Sequence, residues 1–481
     1  MAVQHSHSEY HESQRLTAET RASIASLVAE GSVKLDSRRW GMLVLFTIFV
    51  FTGQVQYAGF ITIVPQTSRL FHVNHAAVDT LTSLFPAIYV FVVIPSCVVL
   101  EKYGLKVGVL LGASFNSAAA LIRLCAALWL PQYWLLVVAG VLNSLGNAFG
   151  NGVPPLLAST WFPEKERTLA TALGTLTGFM GFAAAAISSV DVVDGVSTSA
   201  DDPSRGMAVL FGSHLALALI PTIGFFMMPA LPKHPPSKTA SGRGDRSLSF
   251  LASVAKLLRS FKQCFLDANF AVMIVCFGCV VGTFAAFVTV LAQLLRPLGV
   301  DRKQTGWIVF FAVNAGALTS LAIGPIVDRT RQYKRTYQVL LVAELIVVVA
   351  TSAVLQIVAP TSTPASAGVG LLAGLYAFLV VNESLMLPQY AVVMELAVEL
   401  VYPQPAQVAG YACMVSMSVW CFAGTQVFSR LLGNSPSIDD VRLVFWLSAE
   451  LLAGALIIPT IFVRERLNRL EVEKVAATTD A

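Results

Sequence analysis

Residues 322–339 read AIGPIVDRTRQYKRTYQV, and five charges, Asp328, Arg329, Arg331, Lys334 and Arg335, crowd there between two long apolar stretches. A fainter version, PSCVVLEKYGLKVGVLLG, occupies residues 95–112, with Glu101, Lys102, Gly104 and Lys106 in the corresponding places. The chain around them is poor in charge. Of 481 residues, 56% are hydrophobic and 12% charged, against about a quarter charged in ordinary soluble domains. Charge this scarce and this clustered marks the points where a chain leaves an apolar solvent.

A hydrocarbon core about 30 Å thick needs roughly 20 apolar residues at 1.5 Å rise each. Twelve runs of that order occur, at 41–63, 79–100, 105–129, 133–158, 168–189, 206–231, 269–295, 305–327, 337–358, 367–392, 406–430 and 441–463. Inside lipid every backbone N–H and C=O must be paired within its own segment, so the runs are expected to be helices. Strand-period alternation is absent. The fold class expected is an all-α polytopic membrane protein of twelve transmembrane helices.

Lysine and arginine set the orientation. With the first residues placed in the cytoplasm, the two tails and the loops after runs 2, 4, 6, 8 and 10 carry 24 of the 32 basic residues. The opposite loops carry seven, and Arg123 lies within run 3. The positive-inside rule therefore predicts cytoplasmic tails at both ends. No signal peptide precedes the first run. The expected division is a polar N-terminal tail (1–37), a six-helix half (38–231), a cytoplasmic linker (232–268), a second six-helix half (269–463) and a C-terminal tail (464–481).

The linker opens with PKHPPSKTASGRGDRS, a flexible composition. It continues with Phe250, Leu251, Val254, Leu257, Leu258, Phe261 and Phe265 at helical spacing, opposite Lys256, Arg259 and Lys262. This predicts a basic amphipathic helix on an anionic membrane surface, with a calmodulin-type target as the alternative. Cys276 and Cys279 have a metal-like spacing, but no second pair or histidine accompanies them, so they read as small apolar packers.

Six helices plus six, with a charged knot after the second helix of each half, suggest two pseudo-symmetric halves. Gly324, Asp328 and Arg329 form G-x-x-x-D-R, followed by Lys334 and Arg335, and Glu101, Lys102 and Gly104 stand in the first copy. At these residues the chain resembles the major facilitator superfamily, whose loop motif follows helices 2 and 8. A carboxylate at a helix end can bridge to basic groups and to the other half, so these eight residues are expected to form a cytoplasmic gate. Plain positive-inside anchoring is the simpler reading of the same charges.

A narrower resemblance runs over about 38–465. RRWGMLVLF (38–46), LLGASFNSAAALIRLC (110–125), GNGVPPLLASTWFPEKERTLATA (150–172), DRTRQYKRTYQVLLV (328–342) and MELAVELVYPQPAQVAGY (394–411) are similar to the feline leukaemia virus subgroup C receptor-related solute carriers. Glu395, Glu399, Tyr402 and Pro403 are the most specific of these residues. The resemblance implies transport of choline, ethanolamine, haem or vitamin B6-like molecules. It also implies a cation caged by aromatics of helices 1 and 7, with glutamines of helices 5 and 11 helping. Those positions fall here on Tyr57, Ala285, Phe179 and Ser418, with Phe284 and Phe287 flanking Ala285.

In this architecture the cavity is expected between helices 1, 4, 7 and 10, with help from 2, 5, 8 and 11. The candidate substrate contacts are Gln56, Tyr57, Asn147, Phe179, Phe284, Glu383, Ser418 and Trp420. Gln54, Asn143, Asn314, Tyr376, Asn382 and Ser416 are secondary. Aromatic walls suit an organic cation. Glu383 stands apart, because a carboxylate at mid-membrane costs about 2.5–3.5 kcal/mol on insertion scales. It is either a cation or proton-coupling site, or a protonated group bonded to a neighbouring helix. Arg123, Glu344 and Glu450 fall on helices 3, 9 and 12, expected at the periphery, with Arg123 snorkelling outward.

No G-x-x-x-x-G-K-[ST] stretch is present, so ATP-driven pumping is not indicated. An enzyme is not expected, nor a cofactor or a metal. HSHSEYH (His5, His7, His11) reads as a polar tail segment with at most weak metal affinity. The expected function is secondary-active or facilitative transport of a choline- or ethanolamine-type amine by alternating access. Haem or a B6 vitamer is the alternative substrate, and a non-transporting ligand receptor the alternative class. Expected partners are the small-molecule substrate, protons as a candidate coupling ion and the lipid bilayer. Nucleic acid is not among them, the chain is expected to be a monomer, and the plasma membrane is favoured.

Overall fold

The computed structural model describes residues 36–151, 153–197, 202–232, 250–357, 369–401 and 406–465. The tail histidines, Tyr402 and Pro403 lie outside the described residues, as do the side chains of Glu101 and Asp328.

Twelve helices carry the fold: α1 Arg38–Ala58, α2 His75–Tyr103, α3 Leu105–Leu128, α4 Tyr133–Ala148, α5 Glu164–Val196, α6 Ser204–Met227, α7 Ala268–Thr289, α8 Arg302–Thr330, α9 Tyr333–Ile357, α10 Val369–Val401, α11 Ala406–Leu432 and α12 Ile438–Phe462. Eleven are long and apolar enough to cross a membrane, and α4 is a shorter apolar helix. Because they alternate in direction, α1 begins and α12 ends on one face of the bundle, called here the near face. The opposite one is the far face.

α1–α6 pack among themselves and α7–α12 among themselves. Two helix pairs join the halves along a seam, α2 with α11 and α5 with α8. Gly306 shows how close the second pair comes, since a Cβ there would stand 2.4 Å from the Ala186 carbonyl oxygen. Only a glycine lets the backbones meet at that distance.

Two expected runs are broken. The 133–158 run stops at Ala148, and a short helix, Pro154–Trp161, restarts it with proline in its first turn. Proline lacks the N–H that would continue the hydrogen-bond ladder. The 269–295 run breaks at Val290 and continues as Leu291–Leu295 and a 3-10 turn, Arg296–Leu298, closed by Gly299 at φ 77°. Broken helices are tolerated at membrane depth where protein re-satisfies the backbone, and this one redirects Gln293 into the seam.

The linker contributes the helix Phe250–Leu266, which packs on α2, α7 and α11. Leu257 and Phe261 rest on the core and Cys264 is buried, while Leu251, Leu258, Phe265 and Leu266 remain exposed beside Lys256, Arg259 and Lys262. One edge of its apolar face thus seats on protein across the seam. The other edge is left facing outward.

Candidate functional site

Midway along the seam, the two halves meet through aromatic side chains. The Tyr57 ring of α1 lies 5.0 Å from Phe85 of α2 and 5.9 Å from Phe182 of α5, and Phe85 is 5.5 Å from Tyr89. Across the seam Tyr57 approaches Cys421 of α11. Tyr57, Phe179, Phe182 and Trp420 are half-buried against the apolar core that both halves build. Ser418, one turn before Cys421 and two residues from Trp420, is buried, and its hydroxyl makes no hydrogen bond within the protein. Tyr57, Phe179, Ser418 and Trp420 are therefore positioned where the halves face each other.

Towards the far face the seam is sealed by polar groups. Asp79 of α2 accepts from Gln293 Nε2 at 2.7 Å and from Ser429 Oγ of α11 at 2.5 Å. Gln426 Nε2 donates to Ser83 Oγ at 3.2 Å, and the His75 backbone N–H donates to Asn434 Oδ1 at 3.2 Å. On the α5–α8 side, Arg302 pairs with Asp194 at 3.1 Å and Lys303 with Asp191 at 2.9 Å. Gln66 Nε2 also donates to Asp194, at 2.8 Å. Above the seal a vestibule of about 790 Å³ opens, lined in part by Arg69, His75, Asp194, Arg296 and Arg302.

Gln56 and Asn147 are drawn elsewhere, into a polar knot inside the N-terminal half. Gln56 Nε2 donates to the Asn116 carbonyl at 3.2 Å. Asn143 and Asn147 Nδ2 each donate to the Gly53 carbonyl at 3.3 Å, and Asn143 also reaches Asn116 Oδ1 at 3.2 Å. Arg123 does not snorkel. It is 3% exposed, its Nη1 donates to the Gln56 carbonyl at 2.7 Å, and its guanidinium lies 5.0 Å over the Phe60 ring. The reason is local: the last carbonyls of α1 have no partner in their own helix, and a cation at that end also meets the negative pole of the helix.

In the C-terminal half, Phe284 faces a small cavity between α7, α9, α10 and α12. Glu383 of α10 is 4% exposed and packs against α8, where a Cβ on Gly316 would come 2.8 Å from Glu383 Cγ. Its Oε2 makes no hydrogen bond within the protein. Glu344, expected at the periphery, is 1% exposed and accepts from Gln389 Nε2 at 2.6 Å.

On the near face, Gly104 takes φ 88°, the left-handed region, and turns α2 directly into α3. In the second copy Gly324 stays within α8, and Arg331 makes the turn at φ 54°. Lys334 Nζ donates to the Val463 carbonyl at 2.6 Å and to the Thr460 carbonyl at 3.3 Å, so it caps the end of α12 in its own half. Arg335 reaches Gln332 at 3.4 Å, Arg329 is exposed, and Lys102 is half-buried at the end of α2.

Sequence reasoning missed Asp79, Gln293 and Ser429. The available signal was a carboxylate at the start of an apolar run in a chain otherwise sparing with charge.

A family profile described as Major Facilitator Superfamily matches residues 42–427. The zebrafish choline/ethanolamine transporter flvcr2a is 27% identical over 310 residues, covering 63% of this chain and 64% of its own. The rat choline/ethanolamine transporter FLVCR2 is 24% identical over 455 residues, 93% of this chain and 78% of its own. An uncharacterized MFS-type transporter, C09D4.1 of Caenorhabditis elegans, is 28% identical over 309 residues, 63% of this chain and 51% of its own. The chain thus spans about half to two thirds of the length of the worm and zebrafish relatives. Among solved structures, a D-xylose-proton symporter superposes with a TM-score of 0.66 at 12% identity, over 89% of this chain and 99% of its own. The nucleoside transporter NupG gives 0.63 at 13%, over 87% and 99%. Fold, seam geometry and profile agree: the chain belongs to the Major Facilitator Superfamily.

Proposed function

We propose that the chain is a transporter working by alternating access, secondary-active or facilitative, that carries a small organic cation of the choline and ethanolamine class. The observation that carries this reading is the half-buried aromatic set at mid-seam, Tyr57, Phe179, Phe182 and Trp420, with no basic side chain among them. Among the described residues the only buried lysine or arginine is Arg123, which is committed to α1. Ring faces without a competing positive charge attract an ammonium group by about 0.5–2 kcal/mol each. The names of the zebrafish and rat relatives support the same substrate class.

In this reading Tyr57, Phe179 and Trp420 form the cage and Ser418 supplies a hydroxyl. Glu383 acts from α10 through α8 as the candidate proton-coupling group. Both tails face the cytoplasm, as the distribution of basic residues favours, so the polar seal is the closed outer gate and substrate exchanges with the cell interior. The cytoplasmic gate of the cycle comprises the ends of α2 and α8, with Gly104 and Arg331 at the turns. The two six-helix halves are the rocking units, and the plasma membrane is the favoured location.

The experiment is uptake of labelled choline and of ethanolamine into proteoliposomes, with wild type, Tyr57→Phe and Tyr57→Ala side by side. Saturable uptake is expected in wild type, largely kept by Tyr57→Phe and reduced about 3–30-fold in affinity by Tyr57→Ala. Saturable binding without flux would make the chain a receptor. No saturable handling of either amine would sink the substrate class and make haem and B6 vitamers the next ligands to test.

A further inference from the structure

The cavity that Phe284 faces lies off the seam, at mid-depth inside the C-terminal half. Its volume is about 30 Å³, roughly the share of one water molecule. An amine of the choline class does not fit there. Its polar lining consists of Glu344 of α9, Asn382 of α10, Thr283 of α7 and Ser448 of α12, and its apolar lining includes Phe284, Phe287, Phe378 and Phe445. All four polar residues are more than nine-tenths buried.

These groups present oxygen. Asn382 Oδ1 is buried without a hydrogen-bond partner. Ser448 donates its proton to the Val444 carbonyl at 2.8 Å, which leaves its lone pairs free to coordinate. Glu344 takes one hydrogen bond, from Gln389 at 2.6 Å, and the buried carboxyl of Glu383 stands nearby on α10. No buried lysine or arginine of this half is present among the described residues to balance them. A water in the chamber can donate to Glu344 and Asn382 Oδ1 and accept from the unpartnered Thr283 hydroxyl, whereas a cation draws on the lone pairs of all four oxygens at once. A cation is satisfied by every one of them, and the Phe287, Phe378 and Phe445 rings, 5.1–5.5 Å apart edge to face or tilted, form part of its wall. Hard oxygen donors select hard ions, and a single carboxylate balances a single positive charge.

We propose that this chamber binds a small hard monovalent cation, sodium being the ion of fitting size, between the Glu344 carboxylate, Asn382 Oδ1 and the Thr283 and Ser448 hydroxyls. The site ties α7, α9, α10 and α12 together, and so stabilises the C-terminal half as a unit. It stands apart from the substrate reading, since its test needs no transport.

The test is thermal unfolding of the purified full chain in nanodiscs, titrated with sodium chloride against N-methyl-D-glucamine chloride at constant ionic strength. Wild type, Glu344→Gln and Asn382→Ala are compared, with potassium chloride as a size control. The expected result is a saturable rise in Tm of about 2–5 °C with sodium, smaller with potassium, and absent in both variants. A wild type indifferent to sodium overturns the proposal and makes the chamber a water site. A sodium shift retained in full by both variants overturns it as well, because the ion then binds elsewhere.

Discussion

Asp79 accepts a 2.7 Å hydrogen bond from Gln293, two residues of opposite halves that meet because α7 breaks at Val290. The contact is buried, with Asp79 1% and Gln293 5% exposed. Hydrogen bonds to a charged group contribute about 1.5–3 kcal/mol, so Asp79→Asn is expected to move the equilibrium about tenfold or more towards a far face that is open. Spin labels at exposed Gln132 and Ser435 would report it as a longer distance population. An unchanged distribution would remove Asp79 from the gate.

Gly306→Ala acts on the same seal through shape. Its methyl would meet the Ala186 carbonyl oxygen at 2.4 Å, and overpacking of this kind costs about 1–3 kcal/mol. The far face is expected to stay open and uptake to fall, while folding in each half is preserved. The same spin-label pair gives the readout, with wild-type distances as the contrary result.

Arg123→Leu should be costly although no acidic partner is lost. The Gln56 carbonyl at the end of α1 forfeits its donor, and an unsatisfied buried acceptor costs about 1–3 kcal/mol. A drop in Tm of at least several degrees is expected, with substrate affinity little changed in the protein that remains folded. A Tm within about 1 °C of wild type would mean that Arg123 contributes nothing to the end of α1.

Cys264 gives a handle on the linker helix. Burial pushes its thiol up from the ordinary value, so less of it is thiolate at any given pH than in an exposed cysteine, and the thiolate is the reactive form. In a variant keeping only this cysteine, maleimide labelling is expected to be slow at neutral pH and to accelerate as pH rises. Phe261→Ala, which loosens the helix from the core, should speed labelling several-fold. Equal rates in both proteins would show that the helix is not seated in solution.

The twelve spans were legible because lipid leaves a chain few options, and lengths near 20 residues repeat along the sequence. The motif at 324–335 named the superfamily for the same reason, since charge survives only at helix ends. Breaks were less legible. The pair Pro154 and Pro155 held a signal for one of them that the continuous run 133–158 passed over, and nothing in VTVLAQLL announces that α7 stops at Val290. Side-chain direction was least legible of all. Gln56 and Tyr57 are adjacent in sequence, yet one turns into the N-terminal half and the other into the seam. Arg123 looked peripheral because its helix was assigned to the rim, and the unpaired carbonyl at the end of α1 that attracts it belongs to another segment. The oxygen-lined chamber draws on four helices spread over 165 residues of chain, a convergence that no local pattern records.

The far-face seal has two layers that respond differently to the surrounding solution. The side chains of the Arg302–Asp194 and Lys303–Asp191 pairs are 32–57% exposed, so salt well above physiological strength weakens them, as the screening length falls towards about 3 Å. The Asp79 contacts are out of reach of solvent ions. Raising ionic strength therefore loosens the rim on the α5–α8 side and leaves the α2–α11 side shut. Under such conditions the protein hinges open from one edge, like a door, where dilute solution would hold both edges together.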